Sequence, residues 1–142
     1  MSTEIFLPIF YMLILTSAVF LFNTIIRFKD VLIDKGHRGS ELYGLSLPSS
    51  ASNITKQGDR NLVNLFEFPI FFYIICVSIY VTGKVDDYFV LLAYWFLGFR
   101  VLHSFYHIFI NGFLGALPIR ALFFVPSWGV VVWMWFRFIQ MI

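Results

Sequence analysis

Four long stretches of the chain are almost free of charge, and each is bounded by charged or turn-forming residues. The first covers about residues 5–26 and is closed by Arg27, Lys29 and Asp30. The second covers about 62–81 and ends at Thr82-Gly83-Lys84. Asp86 and Asp87 introduce a third over about 88–110, which stops at Asn111-Gly112, and a fourth lies over about 119–139. Each is close to the ~20 residues an α-helix needs to cross ~30 Å of hydrocarbon at ~1.5 Å per residue. Many of these residues are β-branched or aromatic, but the runs lack the alternation of a lipid-facing barrel strand. The pattern predicts an all-α integral membrane protein, a four-helix bundle forming one domain over 1–142. Between the first two spans, residues 27 to about 61 are polar and include Gly36, Gly39, Gly44 and Leu47-Pro48-Ser49-Ser50-Ala51-Ser52. Such Gly, Pro and Ser clusters read as loop. No internal repeat is evident.

Composition agrees with the spans. Of 142 residues, 60% are hydrophobic, 21% aromatic and only 13% charged, too few charges to keep a soluble domain of this size dispersed. The net charge of +2, with no basic stripe, argues against a nucleic-acid partner. Cys76, the single cysteine, lies in an apolar run and reads as a small buried hydrophobe. The N-terminus lacks the basic region of a signal peptide and its apolar run is too long for one, so it reads as a retained helix. Basic residues set the orientation. The first loop holds Arg27, Lys29, Lys35, Arg38, Lys56 and Arg60, whereas the second holds only Lys84 beside two aspartates. The positive-inside rule therefore places the first loop in the cytoplasm. Trp133 and Trp135 suit an aromatic belt at the opposite interface; Trp128 lies deeper.

With that orientation the intramembrane polar residues converge at one depth. Arg27 ends the first helix, and Arg60, Asn64 and Glu67 follow at i, i+4 and i+7 on one face of the second. Arg100, His103 and His107 stand at i, i+3 and i+7 on one face of the third, and Arg120 opens the fourth. A charge near the bilayer centre costs at least ~2.5–3.5 kcal/mol, so the arrangement of least cost turns both faces inward and pairs Glu67 with an arginine such as Arg100. Interhelical ion pairs that only fix a bundle are the plain alternative, but five or more such residues exceed what registry needs and point to a polar ligand. Several arginines suit carboxylates or phosphates, a buried glutamate suits an ammonium or amide, and arginine also lowers a thiol pKa. A small anionic thiol peptide would satisfy all three. Pro69 removes an N–H from the second helix and predicts a bend near these residues.

The run Arg60-Asn61-Leu62-Val63-Asn64-Leu65-Phe66-Glu67-Phe68-Pro69 resembles the second-helix motif R-x3-N-x2-E of the membrane-associated proteins in eicosanoid and glutathione metabolism, the MAPEG family. The likeness continues through Arg100-Val101-Leu102-His103 and Ile119-Arg120 and covers nearly the whole chain. It implies a homotrimer with glutathione as cosubstrate between neighbouring subunits. Arg60, Asn64 and Glu67 would hold the peptide, Arg27, Arg100, His103 and His107 would complete the pocket, and Arg120 would activate the thiol. No metal is implied. The expected function is a membrane-bound glutathione transferase or peroxidase acting on lipophilic small molecules that arrive through the membrane lipids. Where the family's enzymes often carry a tyrosine, one turn beyond His103, this chain has His107. Its 111–118 segment is also longer, with Asn111 read as a cap or turn residue rather than a ligand. The style of the third and fourth helices resembles the bacterial branch, which implies a bacterial inner membrane.

Other functions remain in play. A non-catalytic binding or scaffold protein would keep the same fold and pocket. Haem is disfavoured, because His103 and His107 lie on one helix and His37 is in the loop. Transport is disfavoured by the lack of a repeat and of a broken helix beyond Pro69.

Overall fold

The structure, a computed structural model, describes residues 2–30, 51–111, 113, 114 and 117–142. Helix α1 spans Phe6–Lys29, α2 Asn53–Glu67, α3 Ile70–Val81, α4 Asp87–Phe105 and α5 Ala121–Met141. A π-helical turn, Tyr106–Ile110, continues α4, and two-residue strands β1 (Phe113–Leu114) and β2 (Leu117–Pro118) pair antiparallel before α5. Four helical stretches are long and apolar enough to cross a membrane: Phe6–Lys29, Asn53–Val81, Asp87–Ile110 and Ala121–Met141. The protein is thus a multi-pass membrane helix bundle. Its surface carries large exposed apolar side chains such as Leu13, Leu21, Ile25, Phe66, Val81 and Val125, which suit hydrocarbon rather than water.

The second helix begins earlier than the loop reading of 27–61 allowed. Ser52 takes an extended backbone and its hydroxyl accepts from the Thr55 amide, a serine N-cap that starts α2 at Asn53. Buried Asp30 fixes this start, accepting from the Ser52 amide (2.9 Å) and the Thr55 hydroxyl (2.7 Å). The rest of the expected loop, with Lys35, His37 and Arg38, lies outside the described residues, as do Gly112 and Gly115 of the later turn. Pro69 interrupts the second span as its missing N–H requires, and α2 and α3 are separated by Phe68 and Pro69.

Helix α1 packs on α2, and α4 packs chiefly on α5. Between them lies an aromatic core in which Phe72 stacks on Phe96 (4.2 Å between centroids) and Phe68 meets Phe124 and Trp128. Cys76 is buried among these apolar residues with a free thiol. At the end away from the intramembrane arginines, Asp86 caps α4 through the Phe89 amide and takes a two-pronged ion pair from Arg137 (3.0 and 2.6 Å). Partial burial pushes the Asp86 carboxyl up, but the Arg137 and Phe89 hydrogen bonds, with the arginine charge, hold it below its ordinary value overall.

The α1–α2 contact is close at Gly58. A Cβ built there would lie 2.5 Å from Asn23 Oδ1 and 3.1 Å from its Cγ. Asn23 cannot simply swing aside, because its Nδ2 donates to Asp59, whose other oxygen accepts from Arg27 (2.7 Å). Alanine within a helix ordinarily gains up to ~1 kcal/mol over glycine. Overpacking costs ~1–3 kcal/mol, and the bond to Asp59 would be lost as well. Gly58→Ala is therefore expected to lower the apparent melting temperature in detergent; a rise would mean the helices separate at no cost.

Candidate functional site

The third-helix face is turned fully inward. Arg100, His103 and His107 are 0%, 3% and 6% exposed. The second-helix face is not. The seam that α2 buries is Thr55, Gly58, Asn61 and Leu65, which leaves Arg60 and Glu67 on the outside of the bundle and Asn64 at the boundary. The expected Glu67–Arg100 ion pair is accordingly absent among the described residues. Arg100 instead donates through Nη2 to the Asn64 backbone oxygen (3.1 Å) and to Asn64 Oδ1 (2.8 Å). Its guanidinium carbon sits 5.3 Å from the Phe68 ring centroid and 6.0 Å from that of Phe124. Rotation of α2 explains the difference: the residue that meets α4 across the seam is Asn64, and Glu67 points past it.

A cavity of about 220 Å³ is lined by Asn64, His103, His107, Arg120, Ala121 and Phe124. Three helices and the π turn supply it. Asn64 comes from α2 with Arg100 behind it, His103 from α4, His107 from the π turn, and Arg120 caps α5. His103 Nδ1 lies 3.0 Å from the Arg120 carbonyl oxygen. That oxygen can only accept, so Nδ1 carries a proton and donates, and Nε2 is the ring nitrogen left to face the cavity. Among the described residues, His103 Nε2, His107 Nδ1, and Arg100 Nε and Nη1 are buried without a hydrogen-bond partner. Buried polar atoms are normally satisfied, so this concentration marks a place where a polar ligand could complete the bonding.

Of the expected site residues, Asn64, His103, His107 and Arg120 meet on this cavity. Arg100 reaches it only through Asn64. Arg27 is tied to Asp59, and Arg60 and Glu67 lie on the outer face of α2 without lining it. Two residues that sequence reasoning left out stand beside it. Asn111 adopts a left-handed backbone (φ 40°), as a turn residue would, yet its Oδ1 also accepts from Arg120 Nη1 at 2.7 Å. Gln57 reaches across from α2, one amide edge facing the carbonyl oxygens of His107 (3.2 Å) and Ile108 (2.7 Å). Two acceptors there require the nitrogen on that edge, and the oxygen then accepts from Asn111 Nδ2 (3.2 Å). With α2 starting at Asn53, Gln57, Arg60 and Asn64 fall at i, i+3 and i+7, a spacing that an earlier helix start would have exposed.

The MAPEG family model matches residues 5–140, nearly the whole chain. The chain belongs to the MAPEG family. It is thereby a membrane protein of the family concerned with eicosanoid and glutathione metabolism, and the helix bundle agrees with that membership. No curated protein and no solved structure matches it.

Proposed function

We propose that this MAPEG protein is a single-domain, membrane-bound glutathione transferase or peroxidase acting on lipophilic electrophiles, with the thiol held at the cytoplasmic end of the bundle. The observation that carries the reading is the cavity where Asn64, His103, His107 and Arg120 converge beside unpartnered buried donors and acceptors. An anionic peptide supplies both carboxylates for the cations and polar groups for the unpartnered histidine nitrogens. Arg120 is the residue proposed to stabilise the thiolate, and proximity with thiolate formation is sufficient chemistry for conjugation.

Arg60 and Glu67 support a pocket shared between copies. Both face outward; Arg60 stands in the polar first half of α2, whereas Glu67, further along the helix, would meet hydrocarbon at a cost of about 2.5–3.5 kcal/mol or more near the centre. A second copy packed on this face, as in a homotrimer, would cover them and bring them to the peptide. Apolar hollows of about 310 Å³ and 450 Å³ share Leu13, Thr16 and Phe66 and suit a lipophilic substrate entering from the bilayer. The basic residues Arg27, Lys29, Lys56 and Arg60 cluster at one end of the bundle, supporting a cytoplasmic first loop, in a bacterial inner membrane by family style.

Calorimetry of glutathione with the detergent-purified protein tests the reading. Saturable binding is expected, and Arg60→Ala should weaken it about tenfold or more, the loss of a charge-assisted hydrogen bond. No binding at millimolar glutathione would overturn it.

A further inference from the structure

The Asn111 side chain and the π turn form a connection between α2 and Arg120 that neither the family motif nor a turn assignment accounts for. Arg120 is the N-cap residue immediately before α5 and half-buried, a position from which a long guanidinium could sample many rotamers. Two contacts restrict it. Its carbonyl oxygen takes His103 Nδ1, and its Nη1 donates to Asn111 Oδ1. Among the described residues, its other guanidinium donors have no protein partner, so one edge of the fork is pinned and the rest is available to the cavity it lines.

Asn111 is itself held in an uncommon state. A non-glycine residue at φ 40° is a sparsely populated conformation, and such outliers persist where surroundings over-determine them. Here its amide N–H donates to the Tyr106 carbonyl oxygen (2.6 Å), closing the π turn. Gln57 then takes its Nδ2 donor while capping the His107 and Ile108 carbonyl oxygens. The inserted turn changes the direction in which the side chains after it point, and Asn111, which closes it, stands against Arg120.

We propose that Asn111, braced by Gln57, is the positioning residue for Arg120, aiming its free guanidinium edge at the thiol of bound glutathione. This rests on the functional reading above. In the step concerned, the S–H bond breaks, its electron pair stays on sulfur and the proton passes to water. The oriented guanidinium lowers the free energy of the resulting thiolate. Asn111 touches no reacting atom.

The test separates backbone from side chain. Glycine is comfortable at positive φ, so Asn111→Gly keeps the turn and removes only the bracing amide. Thiolate formation is read from the ultraviolet absorbance of bound glutathione as a function of pH, with affinity measured by calorimetry on the same detergent-purified protein. Asn111→Gly is expected to raise the apparent thiol pKa by about one pH unit, about a tenfold loss of thiolate near neutrality, with affinity changed less than about threefold. In an Arg120→Ala background the same substitution should have no further effect, because Asn111 acts only through Arg120. If Asn111→Gly fails to give folded protein, Gln57→Leu reads the same connection and should move the pH profile in the same direction. A wild-type profile in Asn111→Gly, or an undiminished effect without Arg120, would overturn the positioning role and leave the functional reading intact. Absence of bound thiolate in the wild type would overturn that reading, and this role with it.

Discussion

Replacing Arg120 with alanine is expected to lower turnover in glutathione conjugation by about 10²–10³, the loss seen when one preorganised donor to a developing anion is removed. Glutathione affinity should change by much less. The argument is one of differential interaction, since a residue that engages the sulfur chiefly as thiolate contributes to kcat rather than to binding. The surroundings support that division of labour. Arg120 stands at the N-terminus of α5, where the helix dipole also favours an anion. Asn64, on a different helix, is fixed from behind by Arg100 and is suited to holding the peptide. Initial rates with an aryl halide electrophile, alongside calorimetry, measure both effects. Arg120→Lys should fall between, because a point charge replaces the fork that Asn111 holds. Full turnover in Arg120→Ala would assign thiol activation elsewhere on the cavity, with His103 Nε2 the next group to examine.

How far the sequence carried this picture depends on which forces act locally. Bilayer thickness sets the length of an apolar run, so the four spans were legible within a few residues at most ends. The start of α2 was not, because residues 53–61 are polar and a polar helix end outside hydrocarbon carries no hydropathy signal. What marked it was Ser52 as N-cap, a cue weaker than the Gly, Pro and Ser cluster beside it. Periodicity correctly grouped Arg100, His103 and His107. It could group Arg60, Asn64 and Glu67 but could not fix how α2 rolls about its axis, and that rotation decides whether Asn64 or Glu67 meets Arg100. The π turn was invisible for a related reason. An inserted residue changes no composition, only the direction in which later side chains point, so Asn111 was read as a turn residue and its bond to Arg120 was missed.

Arg100→Met is expected to fold at least as well as the wild type and to bind glutathione more weakly, about tenfold or more. The two halves have different causes. In the wild type a guanidinium is completely buried in the bundle, with Nη2 bonded to Asn64 and, among the described residues, no partner for Nε and Nη1. The Phe68 and Phe124 rings return part of the desolvation cost through cation–π attraction of ~2 kcal/mol. The remainder is uncompensated, so removing the buried charge relieves a desolvation cost that offsets the hydrogen bonds lost from Asn64. Arg100→Ala differs, because the space it vacates costs ~2–5 kcal/mol beside a rigid aromatic core. Both substitutions release Asn64 Oδ1 and the Asn64 carbonyl, so both should weaken binding at a residue lining the cavity. Apparent melting temperature and calorimetric affinity therefore move in opposite senses for methionine and together for alanine. If methionine destabilised the protein as much as alanine, the charge itself would be structural, and Arg100 would be holding the α2–α4 contact rather than holding Asn64 for a ligand.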